Sequence, residues 1–347
     1  MHRKRNSPNP MRVPALTSAT FGTGLTTIGS SAFSSCSSLS SILIPNNVTE
    51  LGSSAFYGCS ALTSATLGTG LTTIGSSAFS NCSSLSSIVI PDNVTELGSS
   101  AFYGCSALTS ATLGAGLTTI GSEAFRNCSA LTSATLGVGL TTIGSSVFKN
   151  CSSLSSIAIP DNVITIGQEA FYDCSSLSSI VIPNNVKELG SGAFCGCSNL
   201  SNVTLGSGLA TIGKQAFQKC SSLSSIVVPD NVTTIGYRTF YGCSSLSSAT
   251  LSSDLTMIDQ EAFYSCSNLS SIIIPGNVTS IGYEAFRYCY ELASVICQPV
   301  VPPTLGSSAF SNNKSGRIIS VPEASVDAYK SSWSSYASYI QAMTESL

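Results

Sequence analysis

A pattern of apolar and polar positions repeats every 23 residues along most of the chain. A phenylalanine lies three residues before each cysteine of the repeat, from Phe33 to Phe286, and a further one, Phe310, comes one residue late. The repeated cysteines are Cys36, Cys59, Cys82, Cys105, Cys128, Cys151, Cys174, Cys197, Cys220, Cys243, Cys266 and Cys289. A fixed period of this length is typical of stacked repeats. It predicts about 13 units over residues 15–316.

The first part of each unit alternates as a short strand does. In the unit that contains Cys105, Ile88 and Ile90 would face the core, while Ser87 and Val89 would face outward. A proline or a glycine then ends the strand. The pattern therefore predicts one short strand at the start of every unit.

The second part of each unit predicts a turn on the opposite side. Gly98 marks a backbone position that needs a left-handed or a crowded conformation. The residues that follow would place Ala101, Phe102 and Cys105 on one face of a helical turn, with Ser99 as its cap. We therefore expect strands on one face of the fold and helical turns on the other.

A single unit is too small to fold alone. The apolar residues of one unit, with Val94 and Leu97 between strand and turn, cannot offset the entropy lost by ordering its backbone. Stacking lets each unit bury its ends against its neighbours and share strand hydrogen bonds. The fold class predicted is a β-rich α/β solenoid with short parallel strands.

The two ends of the chain differ from the array. A basic tail, residues 1–14, is predicted to be disordered, and the first strand after it is expected to present a bare edge. The tail lacks the apolar segment of a signal peptide, and we interpret the start as a truncation. Residues 317–347 are predicted to form a final strand and a capping helix, the helix spanning about 323–343.

The composition argues against several classes of function. Only 9% of the residues are charged and the net charge is −3, so the basic face of a nucleic-acid-binding protein is missing. The single histidine, His2, lies in the basic tail, which argues against histidine-dependent nucleophiles and zinc sites. No apolar run is long enough to span a membrane. We predict no catalytic residue, no cofactor and no metal.

The repeat also resembles a known family. The pattern Leu-x-x-Ile-x-Ile-Pro-x-x-Val-x-x-Ile-Gly-x-x-Ala-Phe-x-x-Cys is similar to that of the BspA-like leucine-rich repeat family of bacterial surface proteins. The segment from Val321 through Trp333 to Tyr336 resembles the closing segment of such arrays. The resemblance implies a leucine-rich repeat solenoid that is extracellular or attached to the cell surface. It also implies adhesion to host matrix proteins or to other cells.

The cysteines are interpreted as part of the core. Stacked residues in neighbouring coils lie nearly a strand spacing apart, which is too far for the Cβ atoms of a disulfide. Free thiols acting as small apolar side chains are the favoured interpretation, with occasional disulfides or a thiolate metal ladder as alternatives. Outside the repeat, we expect Cys297 in the core and Cys195 as an exposed thiol.

Two further groups of residues have a structural and a functional interpretation. The outward strand positions, such as Leu43 and Thr66, carry neither charges nor aromatic rings, so this face either simply solvates the fold or makes broad contacts. The acidic residues early in the turn are Glu123, Glu169, Glu261 and Glu284, and they are expected to stabilise a helix N-terminus. Asp259 replaces a regular glycine beside Asp254; left-handed backbone at Asp259 is favoured over a calcium site.

Tyrosine and arginine gather on the turn side of the last units. These are residue types that dominate protein-binding interfaces. The residues that we predict to bind a protein are Tyr237, Arg238, Tyr241, Tyr264, Tyr283, Arg287, Tyr288 and Tyr290. Surface variation without any ligand is the alternative.

The function predicted from the sequence is non-catalytic binding. We expect a secreted or surface-exposed bacterial adhesin that engages host or microbial proteins. The alternative is a passive spacer or surface coat without a specific ligand.

Overall fold

The computed structural model describes residues 15–343. The chain divides into two compact units, Met1–Leu140 (unit 1) and Thr141–Leu347 (unit 2). Both are built from the same coil of about 23 residues with short parallel strands, which confirms the predicted solenoid. The predicted disordered tail, residues 1–14, lies outside the described residues.

Unit 1 has two short strands per coil. Its strands within residues 15–140 are β1 (Thr27–Ile28), β2 (Ser41–Leu43), β3 (Glu50–Leu51), β4 (Ser64–Thr66), β5 (Thr73–Ile74), β6 (Ser87–Val89), β7 (Glu96–Leu97), β8 (Ser110–Thr112), β9 (Thr119–Ile120) and β10 (Ser133–Thr135). Strands β1, β3, β5, β7 and β9 pair in parallel in that order. Strands β2 and β4 form a second parallel pair, and β6, β8 and β10 a third group. The sequence had indicated only the longer strand of each coil.

Unit 2 continues with the same elements and adds a short helix. Its strands are β11 (Thr142–Ile143), β12 (Ser156–Ile157), β13 (Thr165–Ile166), β14 (Ser179–Val181), β15 (Glu188–Leu189), β16 (Asn202–Thr204), β17 (Thr211–Ile212), β18 (Ser225–Val227), β19 (Thr234–Ile235), β20 (Ser248–Thr250), β21 (Met257–Ile258), β22 (Ser271–Ile274), β23 (Ser280–Ile281), β24 (Ser294–Cys297), β25 (Thr304–Leu305), β26 (Ile318–Val321) and β27 (Ile340–Ala342). The helix α1 is Val326–Ser332. Strands β11, β13, β15 and β17 pair in order, and so do β19, β21, β23 and β25.

The segment around each repeat phenylalanine consists of tight turns and is not a helical turn. Ser100 and Gly104 have φ of 56° and 69°, so left-handed residues lie two positions before and two positions after Phe102. The Phe102 amide donates to the carbonyl of Ala124 in the next coil at 2.7 Å. Since alternate amides bond between coils, no helix forms here, and the helix cap predicted at Ser99 is wrong.

The core is a set of stacked columns. Successive repeat phenylalanine rings lie with centroids 5.1–5.3 Å apart from Phe33 to Phe125 in unit 1. From Phe148 to Phe310 in unit 2 the separations are 5.1–5.7 Å. These are offset stacks, which the electrostatics of aromatic rings favour. Within each unit, the register of the coils thus places each of these rings on the previous one.

The cysteine column is buried, as predicted. Cys105 is fully shielded from solvent and its Sγ donates to the carbonyl of Phe79 at 3.2 Å. The same bond recurs along the column, for example from Cys243 to Phe217 at 3.1 Å. The thiol is small enough to fit beneath the ring column and polar enough to satisfy a carbonyl that faces the core.

The regular glycine before the turn is explained by crowding. A Cβ atom on Gly98 would lie 2.4 Å from the backbone nitrogen of Ser76 and 2.6 Å from the carbonyl carbon of Gly75. Gly98 does not have a positive φ. Of the two reasons predicted for this glycine, left-handed backbone and crowding, only crowding between two coils applies. A side chain at this position would force neighbouring coils apart.

The pairing of the two-residue strands is interrupted between β17 and β19. The structure places Thr239, fully buried, where the preceding coil has Ala216, and its Oγ1 donates to the carbonyl of Gly236 at 2.9 Å. A Cβ on Gly236 would meet nothing closer than 3.6 Å, in contrast to 2.4 Å at Gly213. The larger threonine therefore fits where two coils lie further apart, between the candidate binding residues Arg238 and Tyr241.

The C-terminal segment caps the last coil with less helix than predicted. The helix α1 ends at Ser332 and is followed by a 3-10 helix, Ser334–Tyr339, and by β27. The helix predicted over about 323–343 is therefore too long, because Ile340 pairs with Ile319 as a strand. The apolar positions nevertheless face the core as expected: Trp333 lies near Phe310, with ring centroids 6.0 Å apart.

Candidate functional site

The eight predicted binding residues lie together on the turn side of unit 2. We call Tyr237, Arg238, Tyr241, Tyr264, Tyr283, Arg287, Tyr288 and Tyr290 the tyrosine–arginine cluster. They follow β19, β21 and β23, in three consecutive coils. Tyr283 and Tyr290 are 45% and 56% exposed, and the other six side chains are half-buried. The cluster is therefore a packed surface with two protruding rings.

The tyrosines contact one another across the coils. Tyr241 and Tyr264 stack with centroids 4.8 Å apart and an angle of 1° between the rings. Tyr264 meets Tyr288 edge to face at 5.2 Å, and Tyr288 lies 5.9 Å from Tyr290. Such contacts hold rings in fixed positions at low entropic cost. The result is a continuous aromatic surface over three coils.

Arg238 joins the first two coils of the cluster. Its guanidinium lies 4.8 Å from the ring centroid of Tyr237 and 5.0 Å from that of Tyr241. Its Nε and Nη2 both lie 2.8 Å from Glu261 Oε2. The forked guanidinium can satisfy a carboxylate and lie over aromatic rings at the same time. Arg238 is therefore fixed before any partner arrives.

Arg287 is fixed by contacts within the third coil. It forms an ion pair with Glu284, and its Nη2 donates to the hydroxyl of Tyr288 at 3.0 Å. Its guanidinium also lies 4.7 Å from the ring centroid of Tyr288. The hydrogen bond that Arg287 donates to Glu284 raises the pKa of Arg287, and a hydrogen bond with the same carboxylate raises the pKa of Tyr283. Tyr283 thus stays a neutral phenol at physiological pH.

The cluster and its two glutamate partners together have no net charge. Its two arginines are matched by Glu261 and Glu284, whose side chains are each only 8% exposed. What faces solvent is therefore aromatic edge, phenol hydroxyl and the arginine atoms not covered by carboxylate. Burial raises the pKa of Tyr264, so its hydroxyl also remains protonated. The surface offers apolar contact and neutral hydrogen bonds.

The sequence had suggested a different role for the repeated glutamates, two of which belong to this site. The prediction that Glu123, Glu169, Glu261 and Glu284 stabilise a helix N-terminus is wrong, because each has left-handed φ, between 54° and 62°, in a turn and not at a helix start. Each instead forms an ion pair, with Arg126, Lys149, Arg238 and Arg287 respectively. The signal that could have found the pairs is their spacing of 3, 20 or 23 residues.

The cysteines outside the repeat have different outcomes. Cys297 is fully buried, as predicted. The prediction that Cys195 is an exposed thiol is wrong, because Cys195 is only 7% exposed. Its shorter side chain lies below the surface that Tyr172 reaches, and it forms a hydrogen bond with Tyr172. Burial raises the pKa of Cys195 to about 11, so the thiol is protonated at neutral pH.

The remaining candidates do not assemble into a site. Leu43 and Val89 are exposed by 64% and 63%, as expected for outward strand positions. Asp259 does not have left-handed φ, contrary to the prediction; its Oδ1 accepts from the amide of Gln260 at 2.7 Å. Within residues 15–343 no group of three acidic, cysteine or histidine side chains is arranged to hold a metal ion. No helix in that range is long and apolar enough to cross a membrane.

Comparison with a protein-family model identifies the repeat. The model of the BspA type leucine-rich repeat region matches residues 11–132, 95–223 and 187–317. These matches overlap and together extend over most of the chain. None of the curated proteins matches the chain.

Solved structures of bacterial repeat proteins have the same fold. A leucine-rich repeat protein from Bacteroides ovatus is 28% identical, with a TM-score of 0.69 over 92% of this chain and 88% of that protein. One from Eubacterium ventriosum is 25% identical, with a TM-score of 0.51 over 77% of this chain and 81% of that one. The pneumococcal vaccine antigen PcpA is 22% identical, with a TM-score of 0.52 over 96% of this chain and 88% of that one, and shares the fold.

Proposed function

Because the chain belongs to the BspA type leucine-rich repeat family, we propose that it is a surface-exposed bacterial protein that binds another protein through the tyrosine–arginine cluster. The single observation that carries this proposal is the stack of Tyr241 on Tyr264, with centroids 4.8 Å apart. It gives the turn side of unit 2 a rigid aromatic surface. Aromatic residues and arginine are the side chains that contribute most to protein interfaces.

The cluster is organised in advance of binding. Arg238 is fixed by Glu261, and Arg287 by Glu284 and Tyr288. A partner would therefore lose little side-chain entropy when it orders these residues, which favours affinity. The exposed rings of Tyr283 and Tyr290 are the parts that a partner would cover first.

The charge balance of the cluster indicates the chemistry of the partner. Both arginines already have carboxylate partners, so a strongly acidic partner would have to compete with Glu261 and Glu284. A partner surface with apolar side chains and with backbone or amide acceptors matches the phenol hydroxyls and ring edges of the cluster better than an acidic surface does. We therefore expect the partner to be a folded protein or an extended segment of low net charge.

Adhesion is the biological role that fits such a surface. We base two parts of the proposal on the family alone: that the protein is exposed at the cell surface, and that its partner is a host or microbial protein. The alternative, a passive spacer, is supported by the regular outward strand positions, where Thr66 and Thr112 repeat without any charge or ring. The two functions differ in whether the chain binds a partner by itself.

Biolayer interferometry with the immobilised full chain tests the proposal. The panel would contain purified host matrix proteins, host cell-surface proteins and bacterial surface proteins. Binding of a panel member should weaken at least about tenfold, about 1.4 kcal/mol, when Tyr241, Tyr264 and Arg287 are replaced together by alanine. The matched control replaces Tyr57, Tyr103 and Arg126, which occupy the same repeat position in unit 1.

The outcomes separate the two functions. Loss in the cluster variant with retention in the control supports binding through the cluster. Equal binding by both variants removes the cluster from the proposal. Binding to no member of the panel favours the spacer.

A further inference from the structure

A second, independent feature of unit 2 is a cleft of about 370 Å³ on its turn side. It lies between three consecutive coils, in residues 168–173, 191–196 and 215–219. Its volume is within the usual range of small-molecule sites, about 300–1,000 Å³. None of its lining residues belongs to the tyrosine–arginine cluster.

The floor of the cleft is made by three small residues around Phe194. Gly192 and Gly196 take the two left-handed positions, with φ of 65° and 77°, and Cys195 lies between them. The position of Cys195 carries tyrosine in five other units: Tyr57, Tyr103, Tyr172, Tyr241 and Tyr264. In all the remaining units, the position of Gly192 is occupied by a residue with a side chain. The cleft therefore exists because this one coil lacks the side chains that its neighbours have.

One wall of the cleft is acidic and aromatic. The carboxylate of Asp173 forms no ion pair within residues 15–343, and one of its oxygens lies over Gly196, 1.9 Å from where a Cβ would be. Glu169 is beside it and pairs with Lys149 at 2.5 Å. Asp173 is exposed, so its carboxylate is open to a ligand, and the burial that it does have raises the pKa of its carboxyl group. An acceptor of this kind gains from any hydroxyl that reaches it.

The opposite wall is made of amides and one ammonium group. Gln218 is only 9% exposed, and its Oε1 accepts from Gln215 Nε2 at 2.6 Å. That bond leaves the Gln218 amide nitrogen as a donor and fixes the plane of the group. Lys219 completes this wall. The charges of Glu169 and Asp173 are balanced by those of Lys149 and Lys219, so the site as a whole is neutral.

We propose that this cleft binds one uncharged sugar residue. A carboxylate and fixed amides on facing walls match the adjacent hydroxyl groups of a sugar, each of which can donate and accept. An apolar ligand would leave Asp173 and the Gln218 amide without partners, at a cost in free energy. An anionic ligand would meet two carboxylates on one wall, and a dication would meet Lys149 and Lys219. A neutral polyhydroxyl ligand meets none of these mismatches.

NMR saturation transfer and chemical-shift titration of the full chain test the proposal. The probes are the methyl glycosides of glucose, galactose, mannose, fucose and N-acetylglucosamine. At least one should bind the native chain. Cys195→Tyr restores the residue that is common at this repeat position and fills the cleft, so it should weaken binding at least tenfold. Asp173→Asn keeps the shape of the cleft and should also weaken binding, by several-fold.

Matched variants control for folding and for non-specific charge effects. Ser34→Tyr introduces the same ring at the same repeat position in unit 1, and Asp161→Asn removes an exposed carboxylate outside the cleft. Both should bind as the native chain does. Binding of none of the five probes by the native chain overturns the proposal. Undiminished binding by Cys195→Tyr also overturns it. If Cys195→Tyr does not fold, Asp173→Asn is the test, since it changes an exposed side chain without changing its shape, and undiminished binding by that variant overturns the proposal.

Discussion

The ring of Tyr241 lies flat on the ring of Tyr264, with centroids 4.8 Å apart and 1° between the planes. The two residues are 23 positions apart, one period of the repeat. The coil register alone therefore brings them together, in the same way as it stacks the buried phenylalanines. A surface property of the protein thus follows from the geometry of its core.

This stack predicts a measurable coupling. The loss of unfolding free energy in the double variant Tyr241→Ala, Tyr264→Ala should be smaller than the sum of the single losses by about 0.5–1.5 kcal/mol, because the first replacement already removes the ring contact. Urea unfolding of the four proteins in the cycle measures the coupling. Tyr57→Ala combined with Tyr241→Ala is the control and should be additive. A coupling of zero for the stacked pair would show that the two rings do not stabilise each other.

The ion pairs of the cluster should contribute more than an exposed pair does. Glu261→Gln leaves Arg238 without its carboxylate at a site where the glutamate side chain is 8% exposed, and we expect a loss of about 1.5–3 kcal/mol. Glu291→Gln breaks the ion pair with Lys314, in which the lysine side chain is 52% exposed and the glutamate side chain 55%. This variant should lower the free energy of unfolding by about 0–1 kcal/mol. Chemical denaturation compares the two. Equal losses would contradict the structural role of Glu261.

Crowding between coils predicts a large effect of one methyl group. Gly98→Ala should destabilise unit 1 by about 1–3 kcal/mol or more, since the new Cβ meets backbone atoms at 2.4 Å and 2.6 Å that cannot rotate away. Gly276→Ala is the control, because nothing lies within 4 Å of its Cβ position. That control should be neutral or stabilising by about 0.4–1 kcal/mol. Circular dichroism during denaturation reports both, and a neutral Gly98→Ala would mean that the coils are further apart than described.

The sequence predicted the buried columns well and the turns poorly. The 23-residue period of Phe102 and Cys105 is enough to place both in the core, because a stacked coil must repeat its inward positions. The segment around Ser100 was misjudged because spacings of three and four residues suit a helix and also suit successive tight turns. The deciding factor, hydrogen bonds to the next coil, is not local in sequence.

Only some features of the candidate surface residues could be predicted from the sequence. The grouping of Tyr237 with Tyr264 and Tyr288 follows from their positions in the repeat, and the structure brings them together. The burial of Cys195 could not be predicted in this way, because it depends on the larger residues of the coils on either side. The cleft above it was missed for the same reason.

Buried thiols predict a loss of stability at alkaline pH. Burial raises the pKa of Cys105 from 9.0 to about 12. The unfolded chain therefore releases this proton near its ordinary pKa while the folded chain keeps it, so stability is complete below about pH 9 and decreases towards about pH 12. Urea unfolding at a series of pH values measures the decrease. Cys105→Ala should make it shallower, whereas stability that rises with pH would contradict the burial of the column.

The measurement that tests the proposed function most directly is site-specific photocross-linking in the presence of the bound partner. Benzoylphenylalanine would replace Tyr290, which is 56% exposed within the cluster, or Tyr57, which is 41% exposed in unit 1. We predict a covalent adduct with the partner from position 290 and none from position 57. An adduct from position 57 alone, or equal adducts from both positions, would contradict binding through the tyrosine–arginine cluster.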